Sequence, residues 1–404
     1  MNLRTPLAVL TLAHAVGTVS IALVMALAPS IQTDMQLSPT QFGMLVACYY
    51  AGQIVLTLPA GWLVDRIGIR QTLVLASVIV SIALPLLAQA REGLLGPAAT
   101  LVLLGLSSAL MNPATSKGVL DWISPERRAM AMGIKQTVVP IGGVLAAIFV
   151  VGVSGRDWRI ALYAATTVAV VGVIGAALLP RKARVPVRTN PRRMRLDLGE
   201  LFRNRRLFLV GACNAIYNIG QVGLWAHVTV FLRDTQNASP VVAGACFGAL
   251  HASSAVGRIA WGCVSDRSGP AYRWHSVAGI GAVAAVGFVV LALPINLVAA
   301  IGVIVLLGLT IGGYPGLLQT IAVESVAAPI AASAIGYNML MVLLAAMIAP
   351  IAVGVAVDAS GVAAAWLLLA GVVAIGAGLA VWAAHSGRRQ LENGAALNKG
   401  SNVP

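Results

Sequence analysis

Two basic side chains within long apolar segments are the residues best suited to chemistry in this chain. Arg258 and Lys135 each stand inside such a segment. A charge at the centre of a membrane helix costs at least ~2.5–3.5 kcal/mol on insertion scales, so its retention indicates a function. A guanidinium grips a carboxylate through two parallel hydrogen bonds, whereas an ammonium acts as a compact point charge. We therefore predict that both residues bind an anion. The alternative is that each long side chain extends to the nearest polar surface or, for Lys135, that the ammonium pairs with a helix-end carbonyl.

The acidic residues have the opposite distribution. All 13 Asp and Glu residues fall in predicted loops or at predicted helix ends. The interior is thus predicted to be basic and free of carboxylates, a combination that attracts anions and repels cations. A third basic residue, Lys117, stands one helical turn before Asp121, and an ion pair between these two is its simpler interpretation.

Two histidines in apolar segments are candidates for proton coupling. His14 and His251 would titrate near neutral pH if they were hydrated. The alternative for each is a neutral histidine that hydrogen-bonds within the core. Protons could also travel on the substrate's own carboxylate, and exchange or facilitated diffusion fits the sequence equally well.

Polar side chains near the middle of the apolar segments are predicted to complete a ligand-binding site. Unpaired polar groups are costly in hydrocarbon, so they are expected to face the protein interior or a cavity. Some are expected only to join helices through hydrogen bonds. The predicted lining residues are Tyr50, Gln53, Asn112, Asn218, Gln221, Tyr314 and Asn338.

The elements that carry these residues are predicted to be transmembrane helices. Of the 404 residues, 59% are hydrophobic and 10% charged, against about 45–50% and 25% in soluble domains. A mean hydropathy of +0.89 leaves too little polar surface for a soluble protein of this size. With ~20 residues needed per crossing, twelve spans are predicted at 6–30, 40–63, 69–90, 95–119, 129–153, 158–180, 206–232, 240–263, 275–293, 295–319, 332–356 and 362–384.

The basic residues predict the orientation of these spans. With both termini inside, the cytoplasmic segments hold 20 Lys and Arg residues and the outer loops hold 4, which favours an N-in, C-in topology. The net charge of +14 then marks a cytoplasmic face that contacts anionic lipids, with no nucleic-acid partner. The four cysteines lack metal-ligand spacing and are expected to be buried free thiols, so neither a metal nor a cofactor is predicted.

The chain is predicted to consist of two related halves. A six-helix bundle over 1–180 precedes a basic linker over 181–205, a second six-helix bundle over 206–385 and a disordered cytoplasmic tail over 386–404. The pattern G-x-x-x-D-R-x-G begins at Gly61 and again at Gly262, 201 residues later. Two parallel six-helix repeats are a known plan for transporters, with the substrate site near mid-membrane between them.

These motifs resemble the major facilitator superfamily. The segment from Gly61 to Arg70 is similar to that family's signature between its second and third helices, and the copy at Gly262 stands at the equivalent place of the second half. The resemblance implies an all-α polytopic fold of 12 helices that works by alternating access. It also implies that two Asp-Arg pairs gate the cytoplasmic side, with Asp65 at the start of span 11 and Asp266 at the start of span 5. The gating residues are Asp65, Arg66, Asp266 and Arg267; the alternative is that these loops only anchor the topology.

A second resemblance concerns the ligand. The stretch Gly257-Arg258-x-x-x-Gly262 is similar to the eighth helix of monocarboxylate and oxalate carriers, which implies that Arg258 faces the cavity and binds a substrate carboxylate. The leading hypothesis is therefore a monomeric secondary transporter of a small organic anion in the cytoplasmic (inner) membrane. No catalytic constellation or nucleotide-binding loop points to an enzyme or a primary pump. Alternatives are a carrier of inorganic or pseudohalide anions such as nitrate or cyanate, a drug or metabolite exporter, and a membrane sensor.

Overall fold

The computed structural model describes residues 4–91, 93–123, 135, 137–179, 203–326 and 331–400, and these residues are helical with short connections. The helices of the first half are α1 (Arg4–Ala26), α2 (Ala28–Asp34), α3 (Pro39–Ile67), α4 (Ile69–Gln89), α5 (Leu95–Trp122), α6 (Val138–Gly152) and α7 (Arg159–Ala177). Those of the second half are α8 (Arg205–Asp234), α9 (Pro240–Ser268), α10 (Arg273–Leu291), α11 (Leu297–Leu309), α12 (Pro315–Glu324) and α13 (Ala331–Gly400).

Eight of these helices, namely α1, α4, α5, α7, α8, α9, α10 and α13, are long and apolar enough to cross a membrane, and α3 adds a ninth if its two segments, bent by 61°, form one span. Helices α6 and α11 are apolar but shorter. The first residues of predicted span 5 (129–134 and 136) and most of the predicted linker (181–202) lie outside the described residues.

Local sequence explains where the two long equivalent helices begin and end. Ser38 accepts a hydrogen bond from the amide of Gln41 at the start of α3, and Ser239 does the same for Val242 at the start of α9. Such caps satisfy donors that have no partner within the helix. Gly68, with φ of 91°, ends α3. Both helices continue past the predicted ends, because charged residues at a membrane surface do not interrupt a helix.

Two helix breaks divide the second half. The predicted span 295–319 consists of α11 and α12, separated at Thr310–Tyr314, where the sequence Gly312-Gly313-Tyr314-Pro315 predicts a break. Gly361 has non-helical φ and ψ of 84° and 173° within α13, between predicted spans 11 and 12. Beyond residue 386 the sequence predicts a disordered tail, whereas α13 continues as helix to Gly400. That segment contains Arg, Gln, Leu, Glu and Ala, which favour helix.

The two halves meet at one end of the molecule, here called the Asp358 end; the opposite end is the Asp65 end. A Cβ atom on Gly43 of α3 would lie 2.3 Å from the carbonyl oxygen of Pro350 in α13, and one on Gly354 would lie 2.5 Å from that of Pro39. Helices α6 and α9 form the equivalent contact between the halves, with Gly244 against Val150. These two backbone-close contacts are here called the seam.

At the Asp65 end, by contrast, the corresponding glycines face open space. No described atom lies within 4 Å of the position of a Cβ on Gly61, Gly262 or Gly336. The described parts of the halves are therefore in close contact at the Asp358 end, whereas these three glycines at the Asp65 end have no described neighbour.

Polar bonds between the halves reinforce the closed end. The Asp358 carboxylate accepts hydrogen bonds from the Ser38 hydroxyl at 3.1 Å and from the Thr40 amide at 3.0 Å, so it caps the N-terminus of α3 from the other half. Arg233 donates to the carbonyl of Pro29 at 2.6 Å and to the hydroxyl of Thr33 at 2.8 Å. A carboxylate at a helix N-terminus is favourable both as a hydrogen-bond acceptor and through the helix dipole.

We expect Asp358→Ala to weaken closure of this end. Loss of an N-terminal cap costs ~0.5–2 kcal/mol, which corresponds to a roughly 2- to 30-fold shift toward separation of the halves. Spin labels on the exposed Arg156 and Thr235, after replacement of the native cysteines, would report the distance across this end. Asp157→Ala is the matched control, because Asp157 is an exposed carboxylate at the same end whose ion pair with Arg159 stays within its own half. An unchanged distance distribution in Asp358→Ala would show that the Asp358 carboxylate does not hold this end closed.

Candidate substrate site

Lys135 is buried in the first half without an acidic partner among the described residues. Only 2% of its surface is exposed. Its ammonium donates to the side-chain oxygen of Asn112 at 2.7 Å, to the backbone oxygen of Asn112 at 3.1 Å and to the hydroxyl of Ser116. The long side chain therefore does not extend to the surface, and its bond to the Asn112 backbone oxygen is of the kind expected from the other alternative, a pair with a helix carbonyl.

The other predicted site residues of the first half lie around α5, the helix that carries Asn112 and Ser116. His14 on α1 bonds through Nδ1 to the Thr115 hydroxyl at 3.3 Å and lies within electrostatic reach of Lys135. Because Thr115 already donates to a backbone carbonyl, it accepts from His14, which assigns the proton to Nδ1. Gln53 donates to the Ser108 hydroxyl at 2.8 Å, and Tyr50 is buried beside Tyr49.

Arg258 is an interior cation of the second half that has no partner among the described residues. It lies ten residues before the end of α9 at Ser268, or ~15 Å along the helix. Among the described residues, no hydrogen bond or ion pair reaches Arg258, and its buried Nε has no partner. Its charge interacts with Tyr314.

Gln221 and Tyr314 support the break between α11 and α12. The Gln221 amide donates to the carbonyls of Ile311 at 3.1 Å and Gly312 at 3.3 Å. The Tyr314 hydroxyl donates to the carbonyl of Asn214 at 3.3 Å. A broken helix leaves carbonyls without their usual partners, and these bonds satisfy some of them. Gln221 and Tyr314, which the sequence predicts to line the site, thus bind backbone carbonyls of the protein itself.

Other polar atoms of the second half are buried without partners. Both ring nitrogens of His251, which is 1% exposed, lack a hydrogen bond. So do the side-chain oxygens of Asn218 and Asn338. Asn338 lies against Gly211 on α8, and Asn218 is two turns further along that helix. Buried polar atoms normally find partners, so unpaired ones mark places where a ligand or water binds.

The ring of His251 lies at the seam. It packs against Trp225 at 4.5 Å and Phe247 at 4.6 Å between ring centroids. Gly143 on α6 leaves room for it, since a Cβ there would lie 2.0 Å from the ring. Gly143 therefore serves close packing between the halves, whereas Gly142 packs against Thr18 of α1 in its own half. Trp225 was missed by sequence reasoning, because a tryptophan in an apolar helix is indistinguishable from core.

The repeat relates the cations of the two halves. The offset of 201 residues that aligns Gly61 with Gly262 also aligns Thr57 with Arg258. Thr57 is one turn beyond Gln53, whose side chain contacts α5 one turn before Asn112. Lys135, which is bonded to Asn112, and Arg258 thus lie at similar depths in opposite halves.

The predicted gating residues lie at the Asp65 end. Asp65 forms an ion pair with Lys117 on α5, so the expected pairing of Lys117 with Asp121 is replaced by one between helices. Arg66 lies over the ring of Trp62 at 5.1 Å. Asp266 and Arg267 are exposed near the end of α9. The start of span 5, predicted to meet Asp266, lies outside the described residues, and no described contact joins Asp65 to the start of span 11, so the gating role stays a prediction.

A cavity of about 330 Å³ lies elsewhere, at the Asp358 end. Its lining includes Ser30, Thr33, Asp34, Val150, Arg233 and Ala243. Its charged groups are already paired, since Asp34 binds Arg159 at 2.7 Å and Arg233 binds Asp234. None of the predicted substrate-binding residues lines it.

The cysteines are all free thiols among the described residues. Cys213 and Cys246 are buried as expected and Cys48 is half-buried. Cys263 is exposed near the end of α9, contrary to the prediction, because that helix extends beyond the predicted span. In the described part of the chain, no cluster of three or more His, Cys, Asp or Glu residues could hold a metal ion.

Apolar helices in two related halves, with cations inside, define a multi-pass membrane protein. The chain belongs to the Major Facilitator Superfamily, whose family profile matches residues 10–350. Its fold is similar to crystal structures of a bacterial homolog of the human lysosomal transporter Spinster. The inward-facing, unoccupied form has a TM-score of 0.79 at 18% identity, covering 95% of this chain and 97% of that chain. The inward-facing, occupied form has a TM-score of 0.77, also at 18% identity, covering 94% and 96%.

Sequence relatives match over shorter stretches. An MFS-type transporter of Mycobacterium tuberculosis is 27% identical over 236 residues, 57% of this chain and 52% of the relative. The hexuronate transporter of Bacillus subtilis is 27% identical over 152 residues, 37% of this chain and 35% of the relative. The galacturonate transporter of Dickeya chrysanthemi is 26% identical over 154 residues, 37% and 44% respectively. The chain thus matches about half the length of these curated relatives or less.

Proposed function

We propose that the protein is a secondary active transporter of a small organic anion that bears a carboxylate. The observation that carries the proposal is the pair of interior cations, Arg258 and Lys135, without a carboxylate beside either among the described residues. Buried charges are normally paired, so the empty guanidinium of Arg258 is matched to an anionic ligand. A substrate carboxylate would supply the missing charge and accept two parallel hydrogen bonds.

The names of sequence relatives support the same class of substrate. Hexuronate and galacturonate are carboxylates, and these are the substrates named for two of the relatives. Because those matches cover little more than a third of this chain, they support the anionic class and leave the particular substrate to experiment.

The proposed transport cycle follows from the seam. We place twelve spans in the cytoplasmic membrane with both termini inside, as the distribution of Lys and Arg favours. The Asp358 end is then the outer end, and the described conformation is closed outside. Rocking of the two halves, residues 1–180 and 206–385, about the cations would close the Asp65 end and open the seam.

Coupling to protons is the finer part of the proposal. His14 and His251 are interior groups whose unperturbed titration falls near neutral pH; the third described interior histidine, His227, is bonded to the carbonyl of Pro350 at 3.0 Å. His14 lies beside Lys135, and His251 lies at the seam, where rocking would expose it. The protein is proposed to act as a monomer and to contact anionic lipids through its basic cytoplasmic face.

We expect the purified protein in liposomes to take up organic anions and to reject organic cations of similar size. The physical reason is the uncompensated positive charge of the interior. The measurement is uptake of a panel of labelled monocarboxylates, dicarboxylates and quaternary ammonium ions, with and without a pH gradient. Protein-free liposomes correct for leakage. Uptake of the cations but not of any anion would sink the proposal.

A further inference from the structure

The two interior cations differ in how much bonding capacity they have left. A lysine ammonium has three N–H donors. Lys135 uses all three, on the two oxygens of Asn112 and the hydroxyl of Ser116. It contributes positive charge to the interior but offers no free donor to a ligand in this arrangement.

Arg258 has all of its hydrogen-bond donors available for a ligand. A guanidinium carries five donors in a planar fork, and among the described residues none of them is bonded. The described interior therefore provides one cation, Arg258, whose donors are free to bind a carboxylate. This asymmetry favours a ligand with a single carboxylate over one with two.

The buried polar side chains that lie about two helical turns from Arg258, and that lack partners among the described residues, are neutral. His251 precedes Arg258 by seven residues on α9, and Trp225 follows Asn218 by seven residues on α8. Seven residues are about two turns, so each pair shares a helix face, ~10 Å apart along the axis. His251 is 1% exposed and Trp225 9%, and neither the His251 nitrogens nor the Trp225 Nε1 has a partner. These two side chains are here called the His251–Trp225 pair.

Unpaired buried donors and acceptors of this kind are suited to hydroxyl groups. A hydroxyl donates one hydrogen bond and accepts others, whereas the indole N–H only donates and a neutral imidazole does both. A second carboxylate beside the His251–Trp225 pair would meet no free cation among the described residues, and burying its charge would be costly. An aliphatic chain would leave the nitrogens unpaired, at a cost of ~1–3 kcal/mol per buried group.

We propose that the substrate is a hydroxylated monocarboxylate, with its carboxylate on Arg258 and a distal hydroxyl on the His251–Trp225 pair. This rests on the proposed function, because it takes the Arg258 site to be an anion site. Since the His251 ring lies against Gly143 of the other half, the same contact links the distal end of the substrate to the seam.

The test compares three six-carbon acids on the purified protein in detergent by titration calorimetry, with empty micelles subtracted. The probes are gluconate (one carboxylate and several hydroxyls), hexanoate (one carboxylate, no hydroxyl) and adipate (two carboxylates). Gluconate is expected to bind at least ~10-fold more tightly than either of the others. Trp225→Phe and His251→Phe are each expected to weaken gluconate binding by about 3- to 10-fold and to change hexanoate binding by less than about twofold.

A matched control comes from Trp366, an indole of the same half that is 1% exposed, also has an unpartnered Nε1, and packs on Phe231. Trp366→Phe should leave the gluconate-to-hexanoate ratio unchanged. Tightest binding of adipate, or an unaltered ratio in both Trp225→Phe and His251→Phe, overturns the inference while Arg258-dependent anion binding persists. Failure of the proposed function looks different: wild type binds none of the three acids, or Arg258→Gln binds them undiminished.

Discussion

Gly43→Ala is expected to reduce transport strongly, because the Asp358 end could no longer close. The added Cβ would lie 2.3 Å from the carbonyl oxygen of Pro350 and 2.7 Å from its carbonyl carbon. Both distances are more than ~0.5 Å shorter than the ~3.5–4.0 Å of good contact. The opposing atoms belong to a helix backbone, which cannot rotate out of the way as a side chain can. The halves would have to separate, which disfavours the state closed at the Asp358 end that the proposed cycle visits.

The measurement combines uptake into liposomes with the distance between spin labels at Arg156 and Thr235. We expect uptake to fall at least ~10-fold, the effect of ~1.4 kcal/mol, and the labels to move apart. Gly152→Ala is the control, because Gly152 lies at the end of a helix that forms the seam and has no described atom within 4 Å of its Cβ position. Normal uptake by Gly43→Ala would mean that the seam is not part of the cycle.

Much of this architecture could be predicted from the sequence because the membrane imposes a simple rule. An apolar run of sufficient length becomes a helix. Ser239 followed by Pro240 is a sequence pattern typical of a helix start. The predicted break at Gly312-Gly313-Tyr314-Pro315 is confirmed, since glycine and proline there weaken the helix locally. Helix ends were less predictable: α9 continues through Asp266 and Arg267, because charged residues fit a helix once it reaches the polar surface.

Pairings between helices could not be predicted. Lys117 stands one turn before Asp121, and spacing alone favours that pair. It bonds instead to Asp65, fifty-two residues earlier, because the packing of α3 on α5 decides which carboxylate is nearest. For the same reason the sequence could identify Lys135 and Arg258 as interior cations but not show that one is fully bonded and the other free. That difference depends on Asn112 and Ser116, which only the fold brings to Lys135.

The free state of Arg258 leads to an expectation with opposite effects on binding and stability. Arg258→Gln should weaken binding of the anionic substrate by ~30-fold or more, since loss of one partner from a buried charge pair costs ~2–5 kcal/mol. Without ligand, however, the variant should unfold at the same temperature as wild type or higher. An unpaired, half-buried guanidinium destabilises the ligand-free protein, and binding residues commonly reduce stability in this way. Titration calorimetry and a thermal unfolding assay in detergent measure the two effects.

Lys135→Met is the matched comparison, because it removes the other interior cation at a similar depth. Methionine keeps much of the lysine side chain's volume but leaves the Asn112 oxygen and the Ser116 hydroxyl without their donor. Buried groups left unpaired cost ~1–3 kcal/mol each, so this variant should unfold at a lower temperature than wild type. Its substrate affinity should fall less than that of Arg258→Gln, since Lys135 contributes its charge and no free hydrogen bond. The opposite order, with Lys135→Met losing more affinity and Arg258→Gln losing more stability, would exchange the roles assigned to the two cations.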